Sequence, residues 1–213
     1  QQIQSLQLQK FQHFVIIHGT DTLSYASAVL AHFMGQSAHI VLTGSQYPLF
    51  NIAGDNTREF TDAIDNLNFA LESVHQSSVG VYLAFHHQLM HAQSALKVHT
   101  TDLKAFDGLP ATQPLSMLTS PYIVQANDLD KAAHFNCLNW MWQPIATDLH
   151  SQNLAALLTH TPDVLILQGF GTGNIAVDAE LLNVLKAIQQ KNCQIILSTQ
   201  VVHGGIDQRY AVS

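Results

Sequence analysis

The sequence predicts an α/β protein: a mainly parallel sheet flanked by helices in a larger N-terminal domain, followed by the start of a smaller C-terminal α/β domain. Three observations carry this expectation. Short apolar runs alternate along the chain with stretches of helical periodicity, the pattern of successive strand–helix units. Two of the apolar runs stop abruptly at glycine and small polar residues, at His18-Gly19-Thr20-Asp21-Thr22 and at Thr43-Gly44-Ser45-Gln46. The chain has 213 residues, 47% of them hydrophobic, enough to bury one large core or a core plus part of another.

In chain order, residues 14–17 read as a buried strand and 23–34 as a helix rich in Ala, Leu and Met. Residues 40–42 form the next strand. After a loop containing Pro48, Asp55 or Asn56 is expected to cap a helix carrying Phe60, Ile64, Leu67 and Leu71 at helical spacing. Residues 79–85 read as a strand whose continuation through Leu96 folds back as a hairpin. A helix over 152–159, a strand over 164–167, a helix over 178–190 and a strand over 194–197 complete the pattern. The rhythm breaks between about Ala126 and Ser151, which divides the chain into 1–135, a connection over 136–150, and 151–213. The opening "QQIQSLQLQKFQHF" reads as the interior of a helix, and "RYAVS" closes no element. The chain is therefore expected to be cut at both ends.

Composition narrows the partners. Eight basic residues against 15 acidic give a net charge of −7 with no Lys/Arg cluster, so neither nucleic acid nor a membrane is an expected partner. No apolar run approaches the length that spans a bilayer. Cys137 and Cys193 lie far apart without C-x-x-C spacing and read as core thiols. His86, His87, His91 and His99 are close in sequence, but in a hairpin four-residue spacing does not align side chains, and no metal site is expected. "GFGTGN" at 169–174 lacks the full spacing of a nucleotide loop and reads as a helix-start turn.

The chemistry concentrates after the first strand. Ligands of open α/β sheets bind beyond the carboxyl ends of strands, where His18–Thr22 falls. Gly19 permits close approach of a ligand to the backbone. Thr20, Asp21 or Thr22 can cap the helix that follows, and its free N–H groups favour an anionic group. Capping uses one or two of these residues and leaves a hydroxyl and a carboxylate over. "SALKVHTTDLKAFDG" supplies Lys97 and Lys104; a lysine flanked by Leu96 and Val98 is a candidate base. A hydroxyl needs such a base to become a nucleophile, and a carboxylate can orient the pair.

In order and spacing, "FVIIHGTDTLSYAS", "IVLTGSQYPL", "KVHTTDLKAFDG" and "LILQGFGTGN" resemble the L-asparaginase/glutaminase family, and "TGSQ-x-P-L" resembles its cytoplasmic, type I branch. The resemblance implies a cofactor-free hydrolase that converts L-asparagine to L-aspartate and ammonia, with L-glutamine as a second candidate substrate. It implies a cytoplasmic homodimer or homotetramer, residues 1–135 forming the catalytic domain. The family's nucleophile is a threonine on a mobile "TGGT" loop. A second threonine joins a Thr–Lys–Asp set that maps onto Thr20, Lys97 and Asp21, with Gly19, Thr20, Asp21 and Ser45 around the substrate. The sequence departs from the pattern in three places. "TGGT" does not occur; Gly54-Asp55-Asn56 stands near the substrate-gripping "S-D-G" with Glu59 at the asparagine position; and Gln168 replaces an arginine tied to allosteric regulation. Two alternatives stand beside the hydrolase: a non-catalytic amino-acid-binding homologue, and an amidotransferase subunit that supplies ammonia to a partner.

Overall fold

The computed structural model describes residues 1–35, 37–115 and 126–206 of the chain; the closing "RYAVS" lies outside them. The chain divides into two compact units, Gln1–Ala126 and Asn127–Ser213.

In the first unit a short helix, α1 (Gln2–Leu8), leads to strand β1 (His13–Ile17). The glutamine-rich opening is thus not one long helix. Lys10 takes a left-handed φ of 72°, and the amides of Lys10 and Phe11 turn back onto Gln7 and Leu6, which stops the helix and frees His13 for the sheet. Helix α2 (Leu23–Met34), strand β2 (His39–Thr43), helix α3 (Ala63–Gln76) and strand β3 (Gly80–Phe85) follow. Strands β1, β2 and β3 pair in parallel in that order, with Phe14 beside Ile40 and Ile40 beside Val81. Strand β4 (Gln88–His91) adds antiparallel to β3, forming the expected hairpin. Its two-residue tip, His86-His87, has both φ angles positive (46° and 57°), the geometry that matches the twist of paired strands.

Strands β2 and β3 read as continuous apolar runs because both faces are covered. Val41, Tyr82 and Ala84 pack with Ala70 and Val74 of α3. The two-residue period sends Ile40, Leu42 and Leu83, all fully buried, to the other face. Helix α3 begins at Ala63, well after the expected cap at Asp55 or Asn56. Its buried stripe is Asn66, Ala70, Ser73 and Val74, whereas Ile64 and Leu71 are exposed. Half of that stripe is polar, which hides it from a search for apolar periodicity. Phe60 lies outside the helix and packs edge-on against Tyr47. A two-residue ladder, β5 (Leu96–Lys97) with β6 (Phe106–Asp107), completes the unit.

Away from the strand ends that carry the candidate site, His13 stacks on His39 with ring centroids 4.4 Å apart, and His75 lies 5.2 Å from His13. Desolvation, followed by the His39 and His75 rings, pushes His13 below its ordinary value.

The second unit carries α4 (Ala126–His134), whose first residue closes the unit before it, and a parallel sheet β7–β8–β9 formed by Cys137–Met141, Val164–Gly169 and Gln194–Thr199. Residues 136–150, expected as a connection, hold strand β7 and the start of helix α5 (Thr147–Ala155). That helix starts earlier than the expected 152–159 because two of its buried residues are polar: His150 is enclosed and stacks on Trp142 at 3.8 Å, and Ser151 is buried beside it in sequence. Leu154, Leu165, Leu167, Leu181 and Ile188 fill the core with Trp142 and Cys193. Cys137 is exposed. "GFGTGN" forms a compact turn in which Phe170 pairs with Asn174, and helix α6 (Ala179–Gln190) begins only after it.

Asp178 caps α6: its carboxylate accepts from the Leu181 amide and from the Thr147 hydroxyl at the start of α5. These bonds hold the carboxyl below its ordinary 3.8, the Leu181 amide contributing most. A depressed folded-state pKa stabilises fully above the unfolded value and is lost as pH falls through the folded one. The gap in denaturation midpoint between wild type and Asp178→Asn should therefore be widest at neutral pH and close in acid. A gap constant across that range would remove Asp178 from the acid response.

Candidate active site

The parallel register sets β1 and β2 side by side so that Ile17 and Thr43 end together, and the two following loops leave the same edge of the sheet. The chain then packs these loops against each other through backbone. The His18 amide donates to the Thr43 carbonyl at 2.8 Å. A Cβ on Gly44 would lie 2.3 Å from the His18 carbonyl oxygen, a contact no side chain tolerates. Glycine at 44 is a steric requirement of this crossing.

Lys97 brings the third chain segment to the same place. Its Nζ donates to Thr20 Oγ1 at 2.9 Å and to Asp21 Oδ1 at 3.2 Å. The two partners sit in different surroundings. The Lys97 side chain is 21% exposed and that of Asp21 is 97% exposed. A half-buried ammonium thus touches a half-buried hydroxyl on one side and an open carboxylate on the other. A lysine amine that has shed one proton can take the proton of the hydroxyl it touches, while the carboxylate stabilises the ammonium so formed. Gly19 is exposed and Ser45 half-buried in the two adjoining loops. Thr22 occupies the N-cap position of α2, and its side chain makes no capping bond. Lys104, the other candidate base, is exposed, and its amide donates to Asp102.

What holds the second loop was not legible in the sequence. Asp62 accepts from the amides of Gln46 (3.0 Å) and Tyr47 (2.9 Å) and from Asn66 Nδ2 (2.9 Å). Asn66, 3% exposed, also donates to the Gly44 carbonyl at 3.0 Å and accepts from the His86 amide at 2.9 Å. Gln46 then reaches across to the segment after Lys97, its Nε2 donating to the carbonyls of Thr100 and Asp102. The acid and asparagine beside this loop are therefore Asp62 and Asn66. Asp55, suggested by its position near an "S-D-G" pattern, pairs instead with Asn51 in an exposed turn, and Glu59 is exposed. A carboxylate preceding a helix and an amide four residues on was the available signal.

Among the described residues no group of three or more His, Cys, Asp or Glu is placed to hold a metal ion, and no helix is long and apolar enough to cross a membrane.

Comparison with known proteins agrees with the fold. The sequence model described as "Asparaginase, N-terminal" matches residues 1–128. An L-asparaginase of Thermococcus kodakarensis is 28% identical over 215 residues, covering 95% of this chain and 62% of that protein. The solved thermostable L-asparaginase from Thermococcus kodakarensis superposes with a TM-score of 0.76 at 25% identity, over 99% of this chain and 64% of that one. A probable cytoplasmic L-asparaginase from Campylobacter jejuni shares the fold, with a TM-score of 0.71 at 20% identity over 97% of this chain and 64% of that one. The chain thus spans less than two thirds of the length of each of these relatives.

Replacing Asn66 by Ala strands the buried Gly44 carbonyl and takes the partner of the His86 amide away. We expect a loss of about 2–3 kcal/mol in chemical unfolding. A loss below about 0.5 kcal/mol, the scatter typical of neutral surface changes, would mean that water restores these bonds.

Proposed function

The chain belongs to the asparaginase family, and from that premise we propose that the protein hydrolyses the side-chain amide of L-asparagine to L-aspartate and ammonia. The observation that carries the reading is the contact of Lys97 Nζ with both Thr20 Oγ1 and Asp21 Oδ1. In this reading a threonine hydroxyl or a water attacks the amide carbonyl. Thr20 takes the attacking group's proton and passes its own to Lys97. Asp21 steadies the resulting ammonium, and its open carboxylate also receives the substrate's amino group. Backbone N–H groups near Gly19 and Thr20 receive the negative charge that develops on the carbonyl oxygen, donors of a kind worth several kcal/mol of barrier. Ser45 borders the amide. The proton then goes to the departing nitrogen, which leaves as ammonia. With water as attacker the acid forms directly; with threonine a water next attacks the acyl ester, returns the proton to the threonine oxygen and releases L-aspartate.

The same reading makes residues 1–135 the catalytic domain and 151–213 the beginning of a second asparaginase domain. It makes the working protein a cytoplasmic homodimer or homotetramer that needs no cofactor. The probable cytoplasmic relative supports the location.

The test is ammonia release from L-asparagine and L-glutamine by the full-length protein and three variants. Lys97→Ala should lower kcat by roughly 10²–10⁴-fold, as loss of a general base does, with the fold intact by circular dichroism. Thr20→Val should fall as far, and Lys104→Ala should stay within about twofold, the scale of an exposed charge remote from the chemistry. A comparable loss in Lys104→Ala would show that the wrong lysine is assigned. Absence of ammonia from either amide in a folded, oligomeric wild type would overturn the hydrolase. It would favour the amino-acid-binding homologue or the ammonia-supplying subunit.

A further inference from the structure

The segment that carries Lys97 has little of its own to hold it. Strands β5 and β6 are two residues each, and Leu96 and Val98, the neighbours of Lys97, are both exposed. Just beyond the ladder, the amides of Val98 and His99 donate to the Ala105 carbonyl. The Lys97 amide points the other way, toward helix α2. Its acceptor there is the hydroxyl oxygen of Ser24, at 2.9 Å. Ser24 stands on the first turn of α2, four residues after Thr20 and three after Asp21. The turn before α2 therefore holds both groups that Lys97 Nζ touches, and the first turn of the helix holds the group that binds the Lys97 backbone.

We propose that Ser24 is a positioning residue for the Thr20–Lys97–Asp21 set: by fixing the Lys97 backbone to the first turn of the helix that directly follows Thr20 and Asp21, it sets the reach of the ammonium to both. The inference rests on the function proposed above only for its kinetic readout. The geometry explains why serine serves here. An aliphatic residue at 24 would leave the Lys97 amide without an acceptor on its outward side, and the two-residue ladder would shift to find one. A displacement of an ångström at a reacting group costs up to a hundredfold in rate. On the far side of Lys97, the bonds from Gln46 to the Thr100 and Asp102 carbonyls limit the shift without abolishing it.

Ser24→Ala and Ser24→Thr are compared with wild type in the full-length protein, with Ser27→Ala as the control. Ser27 lies on the same helix, and its buried hydroxyl has no hydrogen-bond partner among the described residues, so its removal tests the helix alone. Ser24→Ala should lower kcat for L-asparagine by roughly tenfold to a hundredfold with KM within about twofold. Ser24→Thr should restore most of the loss, and Ser27→Ala should match wild type. In lysine-selectively labelled protein, the Lys97 amide should exchange with solvent faster in Ser24→Ala, and its Nζ resonance should move. Wild-type kcat in Ser24→Ala, or equal losses in Ser24→Ala and Ser27→Ala, would overturn the proposal. If wild type turns over neither amide, the hydrolase reading fails and the resonances alone decide. An unmoved Nζ signal in Ser24→Ala would then overturn the positioning role, and a moved one would sustain it.

Discussion

Asn66 is the residue on which the upper edge of the first sheet depends. Three chain segments meet there with polar groups that no regular ladder satisfies: the Gly44 carbonyl after β2, the Asp62 carboxylate before α3, and the His86 amide after β3. A single side-chain amide, almost fully enclosed, serves all three. Unpaired polar groups away from water are costly, so a buried carboxamide that meets its partners fixes their relative placement more firmly than apolar packing would. The loop after β2 inherits that placement, and with it the Gly44 crossing against His18. Gln46 extends it to the segment after Lys97, so the site lies at the end of one connected chain of hydrogen bonds.

The site also shows how a sparsely charged protein isolates a reactive cation. Only 11% of the residues are charged. With few competing cations, the Lys97 ammonium meets a hydroxyl and one carboxylate, rather than a surface network that would hold it in many geometries. What the arrangement lacks in number of contacts it supplies in order, because Lys97 is held at its backbone as well as at its tip.

Much of the fold was legible because strand ends and helix starts announced themselves locally. Helix α2 occupies 23–34 as expected, and the strands agree within a residue or two. The Thr20, Asp21 and Lys97 grouping was legible from an ordered set of motifs, although nothing local in the chain joins position 20 to position 97. The two misplaced helix starts share one physical cause. Helices α3 and α5 turn polar residues inward, Asn66 and Ser73 in one, His150 and Ser151 in the other. A reading that equates burial with apolarity therefore misplaced both starts. The same assumption hid Asp62 and Asn66, which look like ordinary exposed helix residues until their partners are known. Ser24 was invisible for a different reason. Its value lies in the direction of one amide on a distant two-residue strand, which no sequence pattern encodes.

The separation of the two halves of the site along the chain has a consequence for folding. Thr20 and Lys97 are 77 residues apart, and the stretch between them contains β2, β3, β4 and the helices α2 and α3. Contacts of that span form only after the intervening loop has been closed, and parallel pairing is slow for the same reason. The contact of Lys97 with Thr20 thus carries the closure cost of the whole intervening chain. A chain halted before Lys97 holds Thr20 and Asp21 without the third member of their contact.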